Sequence, residues 1–179
     1  GLGDVYKRQT KKLVTPADAA WIVQEIGKSP FVALDLETYT PPESDEWVRE
    51  IAKSGKGRKK EIVDVFGSKL AGMSLTFGEN LQHTVYMPIA HRECELWSEE
   101  QVKGIVTAIP EGTKVVAHNA SGFELPVIYK EWGVWVKNMW CTLDMASYVD
   151  ENLKLGLKFL SDHYLNYKQA TYELSLIHI

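Results

Sequence analysis

The sequence predicts an α/β domain: a mixed sheet, made of an antiparallel three-strand meander extended by parallel strands and flanked by helices. Three observations carry this. Short apolar runs of strand length alternate with segments in helical period, and their order reads β-β-β-α-β-α-α behind an N-terminal helix. A chain of 179 residues with 45% hydrophobic and 11% aromatic content is also large enough to bury one real core.

Each element has its own local signal. Thr15-Pro16-Ala17-Asp18 offers an N-cap, a proline at the first helical position and an acid in the first turn, after which Ala19, Ile22, Val23 and Ile26 keep helical spacing up to Gly27. Residues 31–36 (FVALDL) follow Ser29-Pro30 as an apolar run too short for a helix, and read as a buried strand interrupted only by Asp35. Residues 69–77 (KLAGMSLTF) and 83–89 (HTVYMPI) are two further strands across a Gly78-Glu79-Asn80 turn. Ser98-Glu99-Glu100-Gln101 is a capping box, and Val102, Ile105, Val106 and Ile109 form the apolar stripe of a crossover helix. Residues 113–118 (TKVVAH) make a buried strand, 123–132 a helix that tolerates Pro126 in its first turn, and 143–149 and 155–165 two more helices.

Both ends read as translated adapter rather than protein. Residues 4–9 (DVYKRQ) can be written GAT GTG TAT AAG AGA CAG and residues 174–179 (LSLIHI) CTG TCT CTT ATA CAC ATC, strings that are reverse complements and resemble the ends attached to transposase-made sequencing libraries. The expected organisation is an artefact over 1–9, a domain over 10–173 and an artefact over 174–179. Residues 45–65 are highly charged, with Lys53, Lys56, Arg58, Lys59 and Lys60 around Gly55 and Gly57, and read as an exposed insertion. Such a run is either a solvated face or a basic loop that touches a phosphate backbone.

Composition excludes several classes. A formal net charge of -4 exerts no global pull on nucleic acid, so binding to a polyanion must rest on a local basic patch or on cations. Cys94 and Cys141 sit in no CxxC spacing, which argues against a zinc site and a disulfide scaffold. No apolar run approaches the roughly 18 to 20 residues of a membrane span, and the expected setting is a reducing cytoplasm.

The chemistry concentrates in Asp35-Leu36-Glu37, because residues two apart on a strand point to the same side. Two neighbouring carboxylates at the end of an apolar run are costly unless cations neutralise them, and hard oxygen ligands suit Mg²⁺ or Mn²⁺. Residues 115–126 (VVAHNASGFELP) bring a third carboxylate, Glu124, to a strand-to-helix junction.

VALDLET and HNASGFE resemble the first and second motifs of the DEDD superfamily of 3′-to-5′ exonucleases, and the pattern is similar to the proofreading domain of bacterial and phage family-A DNA polymerases. GMSLTFG, YMPIAHR and CTLDMASYVDENLKLGLKFLSDHYL resemble the corresponding stretches of that domain, so the likeness runs from about residue 30 to 173. It implies a ribonuclease H-like fold, two divalent cations (Mg²⁺ or Mn²⁺) held by carboxylates, and hydrolysis of the 3′-terminal phosphodiester with release of nucleoside monophosphates. Asp35 is the expected bridge between the ions, Glu37 the ligand of the ion carrying the attacking water, and Glu124 the ligand of the second ion. Thr38 and Asn119 are candidate contacts to the terminal nucleotide, though a strand-end threonine and a turn-capping asparagine explain both equally well.

Two departures stand out. Glu124 occupies the place where the family usually has Asp, and the third motif, a Tyr or His followed after three residues by a fourth carboxylate, has no substitute before LSLIHI. Asp144 and Asp162 read as structural, His118 as a hydrogen-bonded strand-end group, Phe123 as core, and Trp132, Trp135 and Trp140 as core or interdomain packing. The expected partners are a single-stranded or frayed 3′ end of DNA and a polymerase domain in the same parent chain of a bacterium or phage-infected cell, with no membrane. The alternatives are a catalytically silent nucleic-acid-binding domain of the same fold, or a stand-alone DEDD exoribonuclease.

Overall fold

The structure, a computed structural model, describes residues 10–39, 41, 67–91 and 94–169. The charged insertion and both adapter-like ends lie outside the described residues. Strand β1 (Thr10–Leu13) leads into a 3₁₀ turn (Pro16–Asp18) and helix α1 (Ala19–Ile26). Strands β2 (Phe31–Tyr39), β3 (Lys69–Phe77) and β4 (His83–Pro88) follow, then α2 (Glu99–Thr107), β5 (Lys114–Ala117), α3 (Glu124–Trp132), β6 (Met139–Cys141), α4 (Thr142–Val149) and α5 (Leu157–Leu165).

These strands form one six-stranded sheet in the order β1-β4-β3-β2-β5-β6. The antiparallel meander is present, with Asp35 opposite Ser74 in β3 and Ser74 opposite Tyr86 in β4. β5 adds parallel to β2, as the intervening crossover helix requires, and β6 adds parallel to β5. The fold class is therefore the predicted one, a ribonuclease H-like mixed sheet flanked by helices.

Alternation sets the two faces of β2. Val32, Leu34 and Leu36 are buried, whereas Phe31, Ala33 and Asp35 are exposed. The buried face joins Ile22 and Ile26 of α1, Val102, Ile105 and Val106 of α2, and Val127, Ile128 and Trp132 of α3 in one hydrophobic cluster. Trp97 completes it; its indole donates to the Val14 carbonyl at 2.9 Å and pins the chain after β1 to the start of α2.

The structure departs from expectation in three places. The N-terminal signals divide between two elements: Thr15 N–H donates to Asp18 at 3.0 Å around the 3₁₀ turn, and the α-helix starts only afterwards. β1 and β6 were not anticipated. β2 continues to Tyr39, so Asp35 and Glu37 lie within a strand rather than at its end, and a register shift falls between Glu37 and Thr38. Of the three tryptophans, only Trp132 enters the core; Trp135 and Trp140 are 65% and 42% exposed. Trp140 stands on the short strand β6, on the side where Lys114 lies 5.0 Å from its ring centroid. Among the described residues, no helix is long and apolar enough to cross a membrane.

Candidate active site

Strand order creates the site. β2 has β3 on one side and β5 on the other, and the ladder with β5 covers only Phe31, Val32 and Ala33. Beyond Ala33, β2 runs on past the carboxyl end of β5, from which the chain turns through residues 118–123 into α3. That position, at the carboxyl ends of parallel strands where the strand order switches, is where open α/β sheets place ligands.

Asp35 and Glu37 both point to the sheet face opposite the core. Asp35 is open to solvent, yet the surrounding protein raises its pKa by desolvation, and the neighbouring Glu37 charge raises it further. Glu124, the first residue of α3, is only 3% exposed. Its pKa is pushed up to about 7, first by burial; a hydrogen bond from its own backbone N–H lowers it, and the charge of Asp35 raises it again. The Glu124 carboxylate on α3 thus feels the charge of Asp35 on β2, and its Oε2 is buried with no hydrogen-bond partner.

Glu37 is held differently. Its Oε2 accepts a hydrogen bond of 3.1 Å from the Tyr86 hydroxyl, which is also 2.7 Å from His91 Nε2. Burial, then the charge and hydrogen bond of Glu37, raise the Tyr86 pKa far above the ordinary phenol range, which keeps the hydroxyl a donor. Tyr86 and His91 were not among the residues expected in the site. The available signal was their place in YMPIAHR combined with the strand register, which lays Asp35, Ser74 and Tyr86 in one cross-strand row.

The remaining candidates surround these carboxylates on strand, turn and helix. Thr38 is half-buried, just past the register shift and opposite Leu70. Asn119 is exposed and takes a left-handed conformation (φ 72°), and its carbonyl accepts from Gly122 N–H and Phe123 N–H, so it builds the turn that delivers Glu124. His118 Nδ1 is 2.9 Å from the Thr142 hydroxyl, and burial lowers its pKa. Asp144 accepts a 2.9 Å hydrogen bond from Ser121, and Phe123 packs against the main core.

The donor chemistry suits a hard divalent cation: carboxylate oxygens only, one of them buried without a partner. Among the described residues, however, no group of three or more His, Cys, Asp or Glu side chains stands close enough to enclose a metal ion. Glu37 turns an oxygen toward Tyr86 and adds its charge to that of Asp35, while Glu124 feels the charge of Asp35.

Neither a protein-family model nor a curated protein sequence matches the chain. Solved structures do. Trypanosoma brucei RNase D in its GMP complex superposes with a TM-score of 0.67 at 7% identity, over 97% of this chain and 48% of its own. Escherichia coli RNase D, an exoribonuclease involved in structured RNA processing, gives 0.60 at 15% identity over 93% and 36%. Brucella melitensis NrnC with bound Mg²⁺ gives 0.51 at 14% identity over 79% and 56%. The chain thus spans from about a third to just over half of these relatives' lengths, and what the likeness establishes is the fold, an α/β ribonuclease H-like sheet whose switch point carries Asp35 and Glu124.

Proposed function

We propose that the chain is the catalytic portion of a DEDD-type, metal-dependent 3′-to-5′ exonuclease, most specifically the proofreading domain of a DNA polymerase. The observation that carries this reading is the buried, partnerless oxygen of Glu124 beside the exposed carboxylate of Asp35 at the switch point of the sheet. Two like charges raise each other's pKa and disfavour joint ionisation, and a divalent cation between carboxylates reverses that penalty. The fold shared with nucleases, one of which carries Mg²⁺, supports the same reading.

Asp35, Glu37 and Glu124 would hold the cations, which when bound supply water activation and charge stabilisation for phosphodiester hydrolysis. The protein's own contribution is placement. β2 fixes two acids on one face, and the Asn119 turn fixes the third. With Asp35, Glu37 and Glu124 as three of the four carboxylates that the resemblance implies, the 179 residues should show negligible nuclease activity.

Metal binding tests the reading without relying on turnover. The chain should bind Mn²⁺ by electron paramagnetic resonance titration, and Asp35→Asn and Glu124→Gln should each weaken binding by at least the roughly 10- to 100-fold typical of an outer-shell change. Binding that is absent, or indifferent to Asp35, sinks it in favour of a silent domain.

A stand-alone exoribonuclease is the second reading, favoured by the likeness to two RNase D structures. Tighter Mn²⁺-dependent binding of an oligoribonucleotide than of the matching oligodeoxynucleotide would select it, and the reverse preference would select the proofreading domain.

A further inference from the structure

Resting on the nuclease reading above, we infer that Tyr86 and His91 are positioning residues for the Glu37 carboxylate, joined to it in one hydrogen-bond chain across three strands. The geometry is specific. Tyr86 on β4 is directly opposite Ser74, whereas Glu37 on β2 is opposite Gly72, so the phenol must lean diagonally over Gly72 to reach it. A Cβ on Gly72 would lie 2.1 Å from the Tyr86 oxygen and 2.5 Å from the ring carbon bearing it. Only glycine leaves that path open, so the glycine in GMSLTFG serves the hydrogen bond.

Proton accounting gives the chain a direction. A phenol has one hydrogen, and donating it to Glu37 Oε2 at 3.1 Å leaves the Tyr86 oxygen to accept from His91 Nε2–H at 2.7 Å. The His91 ring also meets the Tyr86 ring edge-on, at 5.5 Å between centroids, which locks the phenol sideways. Glu37 is therefore held in one rotamer, with one oxygen engaged and the other available. A carboxylate so fixed meets a cation without losing side-chain freedom, and Asp35, in the same row as Ser74 and Tyr86, has no such brace among the hydrogen bonds of the described residues.

The test uses the full chain, Mn²⁺ alone as the probe and thermal melting as the control. Tyr86→Phe keeps the ring and removes the donor; it should weaken Mn²⁺ binding roughly 10-fold with little change in melting temperature. His91→Leu should do the same through Tyr86, whereas His91→Gln, whose amide can donate from a similar place, should restore most of the affinity. Unchanged or tighter Mn²⁺ binding by Tyr86→Phe, while Asp35→Asn and Glu37→Gln still abolish it, overturns the positioning role and leaves the nuclease reading standing. Absence of Mn²⁺ binding in the unaltered chain overturns both.

Discussion

Glu124 concentrates the physical tension of the site in one side chain. Its ordinary pKa of 4.5 rises to about 7 in the folded chain, chiefly through burial. Between those values the unfolded chain has released the proton and the folded chain has kept it, so folding takes up a proton and stability falls as pH rises. Asp35 is shifted in the same direction and adds to the slope. Glu124→Gln should therefore be more stable than the natural residue at pH 8, by on the order of 1–3 kcal/mol, and about equal at pH 4. Urea midpoints for both forms at the two pH values check this, and parallel pH profiles would refute it. The acids themselves were legible in the sequence, since i, i+2 spacing in a strand and a carboxylate at a strand-to-helix junction need no coordinates. Tyr86 and His91 were not, because a tyrosine on a half-buried strand reads the same whether it packs or donates, and only the register with Gly72 and Glu37 distinguishes the two.

The elements were legible wherever a signal was local and strong. Ser98 accepts from Gln101 N–H at 3.2 Å while the Gln101 side chain accepts from Ser98 N–H at 2.9 Å, the reciprocal box expected of that tetrapeptide. Ser98→Ala should cost about 1 kcal/mol by urea denaturation. β1 and β6 carry no such signal: TKKL and MWC span four and three residues, too few to show alternation. Both are strands because a neighbour offers a free ladder, β4 to the first and β5 to the second, which is tertiary information. β3 carries the sharpest prediction at this scale. Gly72→Ala drives a methyl into the Tyr86 phenol, and because the clash includes a ring carbon, the whole side chain must swing away. A loss of about 1–3 kcal/mol in folding stability should accompany weakened Mn²⁺ binding; an alanine tolerated without either effect would mean the phenol has another place to go.

At the scale of the molecule, a formal charge of -4 and a site built from carboxylates should repel a polyanion, although the proposed substrate is one. The sheet face around Asp35 makes the conflict local, since a 3′ end approaching it would meet Asp35 and Glu37 on one strand, with Glu124 buried at its flank. On the proposed reading, divalent cations would resolve it by reversing the sign of the field where the substrate phosphate would sit. Affinity for a fluorescent single-stranded oligodeoxynucleotide should accordingly be weak in EDTA and rise roughly 10-fold or more in Mn²⁺, as read by anisotropy at fixed ionic strength. Asp35→Asn separates this from simple screening. Removing one negative charge should improve binding in EDTA, because a repulsion is gone, and should blunt the gain from Mn²⁺, because a ligand is gone. A variant that binds the oligonucleotide as the unaltered chain does in both conditions would place the nucleic acid elsewhere on the protein and detach the carboxylates from its recognition.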